Sequence, residues 1–221
     1  MERINKLCSY LFKCKTFADV ACDHGYIAEF MLKNGLCESA VVSDISEKCL
    51  KKAETLLSEY ISAGKCRAVC CDGLKEIDRD TDCVIIAGIG GEEIIKILSE
   101  GFIPKSFVFQ PMKNAADLRE FLLKHDCFIE TDDIFSDGKK YYFVIKGGMG
   151  RAQRYTNEQL LYGKDSLNNP VFYDYLREEL DKKKSYLIND MTDESRQTIT
   201  AQIKEMEEVL KGEADRNIRK A

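Results

Sequence analysis

The stretch Ala18-Asp19-Val20-Ala21-Cys22-Asp23-His24-Gly25-Tyr26 decides the fold class. An apolar run from Thr16 to Ala21 reads as a buried strand, small residues at Ala21 and Gly25 allow a tight turn, and 25–34 has the spacing of an amphipathic helix. Strand, turn and helix start in that order form the nucleotide-binding crossover of an α/β sheet, where backbone N–H groups and the helix dipole face an anion. Asp23 stands in the middle of this turn. A pyrophosphate there would meet a like charge, at a cost of roughly several kcal/mol once desolvated. A nucleotide-like ligand with positive charge fits better. S-adenosylmethionine carries a sulfonium and an ammonium, so the turn favours it over NAD.

Outward from the turn, apolar strands alternate with amphipathic helices. Strands are expected at 17–21, 40–43, 66–71, 83–87 and 107–110, and helices at 25–34, 47–62, 91–98 and 115–124. Ile4, Leu7, Cys8 and Leu11 add a short leading helix. This rhythm implies a parallel sheet covered on both faces. It then changes: 128–135 and 141–145 read as strands joined by the tight turn Ser136-Asp137-Gly138-Lys139. A seven-stranded Rossmann-like sheet closed by an antiparallel hairpin is the class I methyltransferase arrangement, expected over 1–148. Gly147-Gly148-Met149-Gly150 marks a boundary, and 149–221 is expected to form a second, helical domain. There, Pro170 can open a helix carrying Phe172, Tyr175, Leu176, Leu180, Tyr186 and Leu187. A second helix presents Ile199, Ile203, Met206 and Leu210, and the two should pack as an antiparallel coiled-coil hairpin about a turn at 189–193.

Composition narrows the function. With 221 residues, 44% hydrophobic, the chain can bury one full core with an appendage. No apolar run approaches the length that spans a bilayer, and 1–15 carries charges throughout, so a cytoplasmic protein is expected, with no membrane contact. The ten cysteines form no C-x-x-C pair and the two histidines, His24 and His125, lie far apart; no metal is expected, and the compartment should be reducing. The net charge is −5, and 151–221 alone holds 13 basic and 14 acidic side chains, so any nucleic-acid contact must use a local patch. The oligomeric state is open between monomer and weak dimer.

The strand ends carry the candidate site. Asp44 ends the second strand, 25 residues after Asp19, where nucleotide folds place an acid for the ribose hydroxyls; Ile45 follows it. The competing role for Asp44 is to cap the next helix, which Ser46 could do instead. Asp72-Gly73 follows the third strand, where the acid can accept from an adenine amino group and the glycine lets the backbone approach the ring. Ala87-Gly88-Ile89-Gly90-Gly91 and Gln110-Pro111 end the fourth and fifth strands, at the switch point where open α/β sheets bind ligands. Cofactor contacts are thus expected at Asp19, Ala21, Gly25, Asp44, Ile45, Asp72, Gly73, Ala87, Gly88 and Gly90.

Taken together, these segments resemble the bacterial tRNA (adenine-N1)-methyltransferases that modify adenosine 22. The resemblance extends to the opening Arg3-to-Leu7 helix, the segment from Tyr155 to Gly163 and the terminal hairpin. The family usually has glycine at position 21, serine at 22, alanine at 25, methionine at 89 and asparagine at 112, where this chain has Ala21, Cys22, Gly25, Ile89 and Met112. The resemblance implies methyl transfer from S-adenosylmethionine to N1 of an adenine in tRNA. N1 carries its own lone pair, so alignment supplies much of the acceleration, and a carboxylate that stabilises the cationic product completes it. Asp23 is the candidate for that role, or else a structural cap, with His24 orienting it or the base. Substrate contacts are expected from Gln110, Pro111, Lys113, Tyr26, Lys139 and Lys140, with Arg151, Arg154 and the run Lys182-Lys183-Lys184 as further phosphate contacts. The alternatives are an NAD oxidoreductase, a small-molecule methyltransferase and a catalytically silent tRNA-binding protein.

Overall fold

Residue alternation along the strands sorts the core into two layers. In the computed structural model, which describes residues 2–188 and 190–218, Phe17, Ile85 and Val108 face one side of the sheet and Ala18, Val20, Val84, Ile86, Phe107 and Phe109 the other. The period of two makes these strands apolar on both faces, as a sheet covered on both sides requires.

The sheet holds seven strands in the order β3-β2-β1-β4-β5-β7-β6. They are β1 (Thr16–Val20), β2 (Ser39–Asp44), β3 (Cys66–Cys70), β4 (Cys83–Ile89), β5 (Ser106–Pro111), β6 (Cys127–Asp137) and β7 (Lys140–Met149). The first five are parallel, and β7 runs antiparallel between β5 and β6, as the Asp-Gly turn predicts. The chain crosses outward from β1 to β2 and β3, then returns to place β4 on the other side of β1. The carboxyl ends of β1 and β4 therefore flank the switch point, where a cleft opens without any side chain having to vacate the core.

Helices α1 (Glu2–Cys8), α2 (Tyr26–Lys33) and α3 (Glu47–Leu56) supply Leu7, Met31, Ala53 and other residues to one layer. Helices α5 (Gly91–Glu100) and α6 (Ala115–Lys124) supply Ile94, Leu98, Leu118 and Leu122 to the other. The single helix expected at 47–62 is two, because α3 stops at Leu57 and α4 spans Ser58–Ser62. Leu57 is fully buried and its backbone has left the helical region, with φ −97° and ψ 10°.

The chain divides into two compact units, 1–167 and 168–221, so 149–167, read from the sequence as part of the second domain, stays with the sheet. The anchor is Arg119 on α6, fully buried and paired with the equally buried Asp132 of β6 at 2.8 Å. Its Nη1 also donates to the carbonyls of Leu160 and Leu161 in α7 (Asn157–Tyr162), a helix opened by a Thr156–Gln159 capping box. Composition changes at the glycines, but these buried bonds reach past them.

The second unit pairs α8 (Pro170–Tyr186) with α9 (Asp193–Ile218). Phe172, Tyr173, Leu176 and Leu180 are buried on α8, and Ile203, Met206 and Val209 on α9. Asn169 caps α8 and Pro170 occupies its first turn. The pairs Lys184–Glu207 and Arg177–Glu213 run in opposite senses along the two helices, which makes the hairpin antiparallel. Asn189, in the expected turn, lies outside the described residues.

Candidate active site

The turn after β1 owes its shape to three left-handed residues, Ala21 (φ 58°), Asp23 (φ 47°) and Gly25 (φ 74°). Only Gly25 adopts this conformation without cost; the other two are held by bonds to the neighbouring strand and turn. Cys22 N donates to Ser43 O at 3.0 Å, Gly25 N to Cys22 O at 2.9 Å, and Asp23 N to Asp44 Oδ2 at 3.2 Å. Asp44 Oδ1 also accepts from Ser46 N at 2.8 Å. Ser46 Oγ takes the Cys49 N–H and caps α3, so Asp44 is not the cap and its remaining lone pairs face the cleft.

Asp19 lies beneath the turn. It is 3% exposed, accepts the Ala28 N–H of α2 at 3.3 Å, and so caps a helix whose own N-cap, Gly25, has no side chain. Burial pushes its carboxyl up to about 8. Gly25 packs toward α3, where a Cβ would stand 3.0 Å from Ala53 Cβ and Leu57 Cδ1. Neither residue lines the cleft; both hold the turn in shape.

The cleft of about 120 Å³ is lined by Ala21, Asp44, Ile45, Asp72 and Gly73 from the expected set. Val20, Ser43, Cys71, Ile89, Glu93 and Ile97 complete it. Ile45 is 73% exposed, an apolar side chain left open at the rim. Ser43 Oγ is buried with no hydrogen-bond partner, an orphan polar atom in the cleft wall. Asp72 is paired with Lys75 at 2.7 Å, which lowers its carboxyl below the usual range. An acid for ribose, an acid beside a left-handed glycine for an adenine edge, an apolar rim and an unsatisfied hydroxyl suit the adenosyl part of S-adenosylmethionine.

Asp23 projects from the turn between two donors, His24 Nδ1 at 2.8 Å and Lys52 Nζ of α3 at 3.2 Å. Burial pushes its carboxyl up, but the bonds from His24 and Lys52 outweigh that, and the net effect is below the ordinary range. The His24 ring stacks on Tyr26, with centroids 5.3 Å apart and planes 8° apart. The turn thus presents a carboxylate that stays ionised at neutral pH.

Beside this turn along the sheet lie the ends of β4 and β5. Gly88 (φ 85°) sits at a bulge where the β4–β5 register shifts, and Arg3 of α1 lies over it, with Nη1 3.4 Å from where a Cβ would stand. Ala87 is half-buried against the core, Gly90 caps α5 under the stem of Lys113, and Gly91 packs on the Asn114 carbonyl. Gln110, expected at the mouth, is fully buried: its Oε1 accepts from Arg3 at 3.2 Å and its Nε2 donates to Pro111 O at 3.1 Å. Arg3 also meets the Tyr142 ring at 5.6 Å, and its backbone N–H bonds Asp137 at the hairpin tip. Pro111 closes β5, and Lys139 and Lys140 are exposed at the same tip. Arg3 and Lys52, like Ser43 and Glu93 in the cleft wall, are side chains at the site that the sequence pattern does not announce. The Lys182–Lys184 run is already engaged, with Glu179, Gln202 and Glu207 as partners. Among the described residues no group of acids, cysteines or histidines could hold a metal ion, and no helix is long and apolar enough to cross a membrane.

A parallel sheet with an acid-bearing first turn, an acid at the end of the neighbouring strand and a closing antiparallel hairpin defines a class I methyltransferase. The methyltransferase-domain family matches residues 1–145. A Mycoplasma pneumoniae protein, provisionally named a tRNA methyltransferase, is 32% identical over 160 residues, 71% of this chain and 75% of that one. The Bacillus subtilis tRNA (adenine(22)-N(1))-methyltransferase is 25% identical over 173 residues, covering 73% of this chain and 71% of that one. In fold, Mycoplasma capricolum TrmK, solved with S-adenosylhomocysteine, superposes with a TM-score of 0.87 over 96% of this chain and 97% of that one, at 19% identity. The chain belongs to the methyltransferase-domain family, in the branch that holds these bacterial tRNA methyltransferases.

Proposed function

We propose that this protein transfers a methyl group from S-adenosylmethionine to N1 of adenosine 22 in tRNA. The observation that carries the reading is the ionised Asp23, held between His24 and Lys52 on a turn that also meets Asp44. Asp44 would hold the ribose hydroxyls, Asp72 and Gly73 the adenine edge, Ile45 its face, and Ser43 would find the partner it lacks. When bound, S-adenosylmethionine supplies an electrophilic methyl group on a sulfonium.

A carboxylate held below its ordinary range is a weak base, so Asp23 acts chiefly through its charge, stabilising the positive charge that N1 gains on methylation. A proton need not leave for the bond to form, because the adenine N1 attacks with its own lone pair. His24 and Lys52 fix the carboxylate's direction. Lys113, Lys139 and Lys140, with Arg151 and Arg154, supply the cations for tRNA phosphates. The protein works in the cytoplasm, where its ten cysteines stay reduced.

The test uses labelled S-adenosylmethionine with an unmodified tRNA transcript and with one carrying guanosine in place of adenosine 22. Label in the first and none in the second is expected. Equal labelling of both, or label in a small molecule alone, would contradict the reading.

A further inference from the structure

A larger cavity, about 380 Å³, lies between α1 and α2, outside the cofactor cleft. Asn5 lines it from α1, and Tyr26, Glu29, Phe30 and Lys33 line it from α2. It adjoins the Asp23 turn. Tyr26, 45% exposed, is shared with the Asp23 turn through its stack on His24. Arg3, two residues before Asn5 on the same helix, reaches Gln110 and Gly88 at the ends of β5 and β4.

We infer that this groove takes a guanine base of the tRNA substrate, flanking the adenosine that is methylated. The inference rests on the proposed function and deepens it. Tyr26 and Phe30 offer aromatic surface on which an unstacked base can lie. Glu29 decides which base. Its carboxylate has no ion pair or hydrogen bond among the described residues, and Glu29 lines the cavity together with both aromatic residues. A carboxylate repels phosphate, so in an RNA groove it must meet a base edge that donates. Guanine presents two parallel donors, N1–H and N2–H, that match the two carboxylate oxygens; adenine, cytosine and uracil each set an acceptor beside their donor. Lys33 then lies on the same helix face as Glu29, four residues on, where a cation can meet the flanking phosphate.

The experiment compares wild type with Glu29→Gln, a substitution on a half-exposed helix face, in steady-state methylation of tRNA. The expected result is a KM for tRNA raised about ten-fold, kcat within about two-fold, and unchanged S-adenosylmethionine affinity by calorimetry. A set of transcripts in which single unpaired guanosines are replaced by inosine, which lacks the N2 amine, locates the contact. At one position inosine raises the wild-type KM and has no further effect on Glu29→Gln. An unchanged KM in Glu29→Gln, or inosine effects equal in both proteins at every position, overturns the inference while leaving the methyltransferase reading intact. Wild type that methylates no tRNA overturns both.

Discussion

Replacing Asp19 by Asn keeps the shape of the side chain and an acceptor for the Ala28 N–H, and removes one titrating proton from beneath the turn. In the folded protein burial pushes this carboxyl from 3.8 to about 8. At 1.36 kcal/mol for each pKa unit, that rise sets a ceiling of about 6 kcal/mol on the stability linked to this one proton. The sign follows from which state keeps the proton. Above about pH 4 the unfolded chain ionises at Asp19 while the folded chain holds its proton, so wild type is fully stable below that pH and loses stability as pH rises toward about 8. Asn has no proton to lose. The variant's advantage over wild type should therefore be near zero at about pH 4, grow by at most about 1.4 kcal/mol per pH unit, and level off above about pH 8. Urea unfolding of both proteins without cofactor, followed by circular dichroism at several pH values, reads the difference directly, because every other titration is common to the two. Curves that stay parallel from pH 5 to 8 would show that Asp19 is solvated or paired, and would refute its placement beneath the turn.

Ala21→Gly should leave stability unchanged or raise it slightly in thermal melts, because relief of about 1 kcal/mol of left-handed strain offsets the added freedom of the unfolded chain. A loss of about 1 kcal/mol, ordinary for Ala→Gly, would contradict the strained turn. Asp132→Asn leaves the Arg119 guanidinium buried without its counter-charge and should cost about 3–5 kcal/mol in urea unfolding. A cost below about 1 kcal/mol would mean that the pair does not anchor 149–167. Affinity for tRNA, measured by filter binding, should fall roughly several-hundred-fold between 50 and 200 mM salt if about five side chains neutralise phosphates. Insensitivity to salt would remove Lys113, Lys139, Lys140, Arg151 and Arg154 from the interface.

Local periodicity made the sheet legible. Apolar runs of strand length marked the five parallel strands, and the expected helix at 115–124 has the bounds of α6, because its apolar stripe begins and ends with the packing against the sheet. The Asp-Gly turn announced the hairpin, which separates this fold from a plain dinucleotide domain. Pairings distant in sequence were not legible. Nothing in the spacing says that Arg3 reaches across 107 positions to Gln110, or that Lys52 on α3 meets Asp23. Gln110 looked like a group at the cleft mouth because it ends a strand, but Arg3 covers it. Ser43 reads as one polar residue in an apolar strand, and only its burial without a partner draws attention to it. The compact unit runs past the glycines for the same reason: Arg119, paired with Asp132, reaches over them to α7.

On the proposed mechanism, Asp23 serves the reaction through its charge. Single-turnover methyl transfer to unmodified tRNA, with the product nucleoside mapped by mass spectrometry, tests it in wild type and Asp23→Asn. N1-methyladenosine at position 22 is expected from wild type, with a rate lowered about 10²–10³-fold in the variant and its melting temperature and S-adenosylmethionine affinity retained. Label on another atom or another nucleotide, or an Asp23→Asn variant as fast as wild type, would contradict it.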